Sequence, residues 1–225
     1  MKKILLISAL LMSQMAFAAK DSSTVPSPEN NQTVAAAENA SADTTKPIFK
    51  SGDTVNIKKA MEATDKMITA GQNLVEYANK AATAADSAAA KQDQKKAKQT
   101  ASAASAAADS VKKILSDVDS AIANTEQYAE LKTVVDEIKK AKEKGNKVVE
   151  KAKETSTKKN GKPEAKDAAK ATRDAAESVA KAVNEAKGKA EEIKKKANAA
   201  LENASAAARK MNKEQNSEAP SAAAT

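Results

Sequence analysis

The 225-residue sequence contains no cysteine, no histidine and no tryptophan. These absences exclude disulfides, a lipid-modified N-terminal cysteine, the usual zinc sites, and Ser-His-Asp or Cys-His catalysis. With only two tyrosines and two phenylalanines, a pocket lined by aromatic side chains is not expected. The sequence also lacks a glycine-rich phosphate loop, an HExxH motif and a nucleophile elbow. We therefore expect a non-enzymatic protein with no cofactor and no bound metal.

Long apolar runs are scarce, and the clearest one predicts a signal peptide over residues 1–18. Two lysines precede the apolar residues 4–12, and Ala16-Phe17-Ala18 is a small-x-small cleavage site. This run is too short to cross a bilayer of about 30 Å, and no later segment is apolar enough to span one. The sequence predicts an exported bacterial protein, periplasmic or secreted, without a transmembrane span after cleavage.

Four of the five prolines lie in two polar terminal segments. Residues 19–52 are rich in Ser, Thr, Asn, Ala and Pro, and residues 214–225 form a shorter polar tail. Proline interrupts helices, and these segments hold little that could be buried. We predict a disordered linker over 19–52, a disordered tail over 214–225, and a helical region over 53–213.

The helical region divides into three predicted segments, at about 53–90, 99–156 and 163–213. Residues 91–98 (KQDQKKAK) interrupt the apolar pattern, which favours a loop, although a continuous polar helix also fits. Gly145-Asn146 is a weaker break, so the second segment is either one helix to about Ser156 or a helical hairpin. Residues 158–163 (KKNGKP) are the strongest break, since glycine ends helices and proline suits a first turn. The apolar stripe predicted for the first segment comprises Ile57, Met61, Thr64, Ile68, Gly71, Val75, Ala78, Ala82, Ala85 and Ala89.

The third segment keeps a seven-residue spacing that resembles the a and d columns of a coiled coil. Alanine, lysine and glutamate favour helix, and no part of the region alternates like a half-buried strand. The predicted fold is all-α: long alanine-rich amphipathic helices in a helical bundle or coiled coil, with disordered tails. Leu, Ile and Val make up only about 12% of residues 53–213, which predicts modest tertiary stability. The two columns are Ala165, Thr172, Val179, Ala186, Ile193, Ala200 and Ala207, and Ala169, Ala176, Val183, Ala190, Ala197, Ala204 and Met211.

Part of this segment also follows an 11-residue pattern. Residues 171–181 and 182–192 both place alanine at position one, an acid at four and alanine at five, and the next two blocks keep the alanine at five but not the acid at four. Over about 45 residues the composition resembles the amphipathic repeats of late embryogenesis abundant proteins and alanine-rich bacterial coiled coils. Resemblance to the first family implies helices that fold on drying or on membranes and protect other molecules.

Positive charge is concentrated in residues 139–162, where ten lysines accompany three glutamates and give a net charge of +7. If the chain turns at Gly161, this patch lies at one end of the bundle. It is a candidate surface for phosphate, sulfate or anionic lipid. Nucleic acid is an unlikely ligand because aromatic residues are few and arginine occurs only twice. The candidate residues are Lys139, Lys140, Lys142, Lys144, Lys147, Lys151, Lys153, Lys158, Lys159 and Lys162.

These patterns favour an interaction or structural protein that acts at the cell envelope or on a host or extracellular partner. The expected partners are a second copy through the helix seams, or a protein, glycan or anionic lipid. The alternative is an amphipathic-helix protein that folds on anionic membranes or protects against stress. A low content of large apolar residues and the lysine cluster support this alternative.

Overall fold

The computed structural model describes residues 48–217. The predicted signal peptide, residues 19–47 of the predicted linker and residues 218–225 of the predicted tail lie outside the described residues. Between them the chain is helical, with no strand in the described range, and this confirms the all-α helical bundle. The helices are α1 (Ile48–Ser51), α2 (Thr54–Ala89), α3 (Gln94–Thr125), a 3-10 turn (Ala129–Leu131), α4 (Lys132–Thr157) and α5 (Pro163–Ser217).

The four long helices α2 to α5 pack antiparallel to their chain neighbours. Residues early in α4 pair with residues late in α3, and the order reverses along the helices. The same reversal relates α2 to α5, so the bundle runs up, down, up and down and closes through contact between its first and last helices. The pairs that fix these directions are Lys139–Glu126 and Lys153–Asp109 for α3 and α4, and Asp65–Lys194 and Asp86–Arg173 for α2 and α5.

Most of the large apolar residues of the four long helices are packed together in a core at one half of the bundle. In α2 the fully buried large side chains are Ile57, Met67 and Leu74. The buried face is therefore rotated from the predicted stripe, and Met61, Ile68 and Val75 lie half-buried at its edge. Toward the other half, α2 and α5 meet through a smaller cluster of alanines, which permits close helix approach but buries little area. That cluster comprises Ala85, Ala89, Ala165 and Ala169.

The predicted second segment is two helices, and the chain turns at residues 126–128 rather than at Gly145. Tyr128 adopts an extended conformation before the 3-10 turn, and its side chain is buried in the core. Gly145 lies inside α4, where a β-carbon would come within 2.9 Å of Leu115 Cδ2 and 3.1 Å of Leu74 Cδ1. The glycine therefore serves close packing of α4 on α2 and α3, and it does not end a helix.

The first interruption is shorter than the loop favoured at 91–98. Only residues 90–93 leave the helical conformation, and α3 begins at Gln94. Asp93 caps this helix, because its side chain accepts a hydrogen bond of 2.9 Å from the Lys96 N–H. The lysines at 95, 96 and 98 consequently stand on the first turns of α3.

Both predicted terminal segments contain some helix. Ile48 and Phe49 of the predicted linker belong to α1, where Ile48 is buried and Phe49 packs against the core. The Phe49 N–H donates a hydrogen bond of 3.0 Å to Glu130 Oε1, which fastens this turn to the end of the bundle. At the other terminus α5 continues through residues 214–217.

Helix α5 is much longer than the helices it packs against. Its 55 residues span about 82 Å, whereas the 36 residues of α2 span about 54 Å. Both seven-residue columns are buried from Ala165 to Ala197, and every residue from 205 to 214 is exposed. We call residues 198–217 the α5 extension. It carries α5 about 30 Å past Ala197, the last buried residue of the columns, and the columns themselves continue to Met211.

Candidate functional site

The ten candidate lysines do not gather at one end of the bundle as expected. Seven of them, from Lys139 to Lys153, lie on α4, which runs along the side of the bundle. Only Lys158, Lys159 and Lys162 lie in the connection between α4 and α5. The expectation failed because residues 139–153 form one continuous stretch of helix, which spreads these lysines over about 21 Å of helix axis.

Three lysines of α4 form ion pairs with acidic residues of α3 or of the turn that follows it. Each pair joins an ammonium to a carboxylate, and the Glu126 hydrogen bond raises the pKa of Lys139 while that of Lys153 lowers the pKa of Asp109. Because each of these lysines already has a carboxylate partner, the pairs add little net positive charge to the surface. They are contacts between neighbouring elements of the bundle. The pairs are Lys139–Glu126 at 2.6 Å, Lys142–Asp119 at 2.5 Å and Lys153–Asp109 at 2.8 Å.

Two more lysines surround Glu137, whose side chain is almost completely buried between α4 and α5. Its Oε1 accepts hydrogen bonds from Lys189 Nζ at 2.5 Å and from Lys140 Nζ at 3.0 Å. These two bonds, the one from Lys189 foremost, hold the pKa of Glu137 below its usual value despite burial. Its Oε2 is buried without a hydrogen-bond partner. Lys140 is therefore also part of a contact that joins two helices.

The remaining lysines of α4 differ in their partners. Lys151 bonds Glu154 at 2.9 Å and lies 3.1 Å from Glu150. Lys144 and Lys147 form no ion pair with a described residue. Five of the seven candidate lysines on α4 are thus paired.

At the end of the bundle where α2 meets α3 and α4 meets α5, hydrogen bonds join the two connections. The Gly161 N–H donates a hydrogen bond of 2.9 Å to the Ala89 carbonyl oxygen, and Asn160 Nδ2 donates one of 3.1 Å to the Gln92 carbonyl oxygen. Gly161 has a φ of +74°, and a β-carbon there would lie 3.1 Å from Lys91 Cβ. Two lysine-rich segments that are 68 residues apart in sequence therefore form one surface.

We call this surface, formed by residues 90–98 and 158–166, the lysine end. It holds eight lysines and two acidic residues, which gives a net charge of +6. Lys158 lies 3.7 Å from Glu154, and none of the other seven forms an ion pair with a described residue. All eight are exposed: Lys91, Lys95, Lys96, Lys98, Lys158, Lys159, Lys162 and Lys166.

The opposite end of the bundle has a different charge. Residues 48–58 and 126–136 contain three lysines and four acidic residues, a net charge of −1. Helix α5 also passes this end, and its residues 194–214 add six basic and two acidic residues, a net charge of +4. The lysine end therefore keeps the higher net charge, +6 against +3.

Sequence reasoning missed five members of the lysine end: Lys91, Lys95, Lys96, Lys98 and Lys166. The sequence pattern marks the first four only as part of an interruption between apolar stripes. The available signal was their density, since four lysines and one aspartate occupy residues 91–98. Their position next to Lys159 and Lys162 could not be found without the turn that brings the two connections together.

Comparisons with protein-family models, with curated proteins and with solved structures gave no match to this chain. Within residues 48–217, no helix is long and apolar enough to cross a membrane, and no group of three or more acidic side chains is arranged to hold a metal ion.

Proposed function

We propose that this chain is an exported, non-enzymatic helical protein that acts through its surfaces as an interaction or structural element. Its site of action would be the cell envelope, or a host or extracellular partner. The α5 extension carries the proposal. It continues the packing seam of the bundle beyond Ala197, and residues 205–214 are all exposed, with no described residue covering them.

The distribution of apolar side chains supports a protein that is folded before it meets a partner. The helices bury their large apolar residues against one another, and Val55 and Met211 are the large apolar side chains that remain exposed among the described residues, at 59% and 63%. A protein that folds only on a membrane would need these apolar faces for the lipid. The packing therefore favours this proposal over the membrane-folding alternative.

Glu137 is the one buried charged side chain among the described residues, and its contacts hold helices together, which supports a structural role for it. Glu137 is held by Lys140 and Lys189, which links α4 to α5. The other buried polar residues are threonines, and each donates its hydroxyl to a carbonyl oxygen of its own helix: Thr64, Thr125, Thr155 and Thr172.

A far-UV circular dichroism melt of the purified protein in plain buffer tests whether it folds alone. We expect a strongly helical spectrum and a cooperative transition. A largely disordered spectrum that becomes helical only with anionic vesicles would reject the proposal and favour the alternative.

Sedimentation over a wide concentration range tests the α5 extension as an interaction element, with a second copy as the first partner to examine. Ala207→Glu with Met211→Glu places two charges on the apolar face of the extension. Ser205→Glu with Ala206→Glu adds the same charge away from that face. We expect the first pair to weaken self-association without changing the melt of the bundle, and the second pair to behave as the wild type. Equal behaviour of both variants would show that the seam of the extension is not the contact.

A further inference from the structure

We propose that the lysine end docks the folded bundle onto a surface of anionic phospholipid headgroups, with the bundle axis directed toward the membrane. This inference rests on the proposed function, since it names one partner of a folded interaction protein. It differs from the membrane-folding alternative because the contact uses exposed charge and leaves the apolar core buried.

Paired and free lysines lie on different parts of the molecule. Along α4, Lys139, Lys142 and Lys153 have carboxylate partners on α3 or in the turn after it, so ion pairing already offsets much of their charge. At the lysine end, seven of eight lysines have no such partner among the described residues. Free ammonium groups attract an external anion without first breaking an ion pair.

The backbone of the lysine end is held in place by hydrogen bonds. The hydrogen bonds from Gly161 to Ala89 and from Asn160 to Gln92 connect the two loops. The Asp93 side chain caps α3 at the same place, so Lys95 and Lys96 start from an ordered helical turn. The positions of the lysine backbones are therefore set before any ligand arrives.

The residue types of the lysine end indicate the chemistry of its ligand. The lysine end contains no arginine and no aromatic residue. It therefore lacks both the planar fork that grips a single phosphate in a bidentate way and the rings on which nucleobases stack. Compact ammonium charges on a short, exposed surface suit a dense array of phosphates, which anionic lipid headgroups provide.

Charge also sets the orientation of the bundle. The lysine end has a net charge of +6, and the opposite end has +3 when residues 194–214 of α5 are included, so the field of an anionic membrane favours approach by the lysine end. The α5 extension reaches past the opposite end of the bundle and would point away from the membrane. The two surfaces can then act at the same time.

The test measures binding of the purified protein to vesicles of phosphatidylcholine with about 30% phosphatidylglycerol, and to vesicles of phosphatidylcholine alone. The variant replaces four lysines of the lysine end: Lys91→Gln, Lys95→Gln, Lys159→Gln and Lys162→Gln. The matched control removes the same total charge at four exposed lysines without ion pairs elsewhere: Lys112→Gln, Lys113→Gln, Lys181→Gln and Lys187→Gln.

We expect wild-type protein to bind the anionic vesicles only, and to be released as salt shortens the Debye length. The lysine-end variant should bind on the order of 100-fold more weakly, whereas the control should lose only a few-fold. Equal losses in both variants would overturn the proposal in favour of general charge attraction. No binding by the wild type would overturn the proposal outright. Release of the bound protein by millimolar inorganic phosphate at constant ionic strength would also overturn it, because it would indicate a site for single phosphates.

Circular dichroism of the same samples separates this inference from the proposed function. A protein that is folded in buffer but shows no dependence on the lysine end refutes only the docking surface. A protein that gains its helix on the vesicles refutes the folded interaction protein and the docking surface together.

Discussion

Lys189 Nζ of α5 lies 2.5 Å from Glu137 Oε1 of α4, and this contact joins two helices through a residue that is only 4% exposed. Lys140 adds a second hydrogen bond to the same oxygen. The two ammonium groups keep Glu137 ionised in a position where burial alone would favour the neutral acid. The link between α4 and α5 therefore depends on the charge of Glu137.

This dependence predicts a loss of stability in acid. The pKa of Glu137 is below its ordinary value of 4.5 in the folded protein, so ionised Glu137 stabilises the fold above that value, and the contribution disappears as pH falls through the folded pKa. Glu137→Gln should cost about 1–2 kcal/mol at neutral pH and flatten the fall in stability below about pH 4.5. Thermal melts from pH 7 down to pH 2.5 measure both effects. Glu143→Gln, on the surface of α4, should keep the wild-type profile; an unchanged acid slope in Glu137→Gln would contradict the assignment.

Two helical glycines should respond in different ways to the same substitution. A β-carbon at Gly71 would lie 2.9 Å from Ile138 Cδ1 and 3.3 Å from Val183 Cγ1, whereas one at Gly188 would meet no atom within 4 Å. Alanine improves helix propensity at both positions by about 1 kcal/mol, but overpacking at Gly71 costs about 1–3 kcal/mol. Denaturant unfolding should therefore show Gly188→Ala above the wild type and Gly71→Ala at least about 1 kcal/mol below Gly188→Ala. An equal increase in unfolding free energy for both variants would show that α2, α4 and α5 pack less closely around Gly71 than the distances above indicate.

Substitutions of Thr172 measure how much its buried hydroxyl contributes to the stability of the alanine seam. It is fully buried, and its hydroxyl donates a hydrogen bond of 2.8 Å to the Ala168 carbonyl oxygen within α5. Thr172→Val keeps the shape and removes a buried polar group, so we expect a change between zero and about 1 kcal/mol in favour of folding. Thr172→Ser removes a buried methyl and should cost about 1 kcal/mol. Denaturant unfolding compares the two variants, and a valine variant less stable than the serine variant would mean that the hydroxyl is required.

Alanine substitutions at Gly161 and Gly52 distinguish two costs: backbone strain, which both positions share, and a close contact, which only Gly161 at the lysine end has. Both have positive φ, +74° and +67°, but only a β-carbon at Gly161 would crowd a neighbour, Lys91. Alanine at Gly52 should cost about 1 kcal/mol through its left-handed conformation, and alanine at Gly161 about 2–3 kcal/mol because the Lys91 backbone is also displaced. Thermal melts compare the two variants. Equal costs would show that the two connections are not held closely together.

Much of the fold was predictable because helix formation is encoded locally. The spacing of alanine and large apolar residues, the absence of strand-like alternation and the KKNGKP break predicted an all-α bundle, and α5 starts at Pro163 as expected. The turn at residues 126–128 was missed because it contains neither glycine nor proline. Gly145 was misleading for the opposite reason: a glycine can serve close packing as well as a turn, and only the position of Leu74 and Leu115 distinguishes the two.

The candidate site was predictable only in part. Lys158, Lys159 and Lys162 were found from charge density, but the sequence could not separate them from Lys139, Lys142 and Lys153. That distinction depends on which lysines face a carboxylate on another helix, and such partners are distant in sequence.

The sequence by itself determined that the described chain is helical, because propensity and apolar period act over a few residues at a time. It also determined the net positive charge. Only the tertiary structure decided which seam positions are buried, where α5 leaves the bundle, and which lysines remain free. Those properties depend on helix lengths and on the antiparallel alignment of neighbours, and packing between residues far apart in the chain sets both.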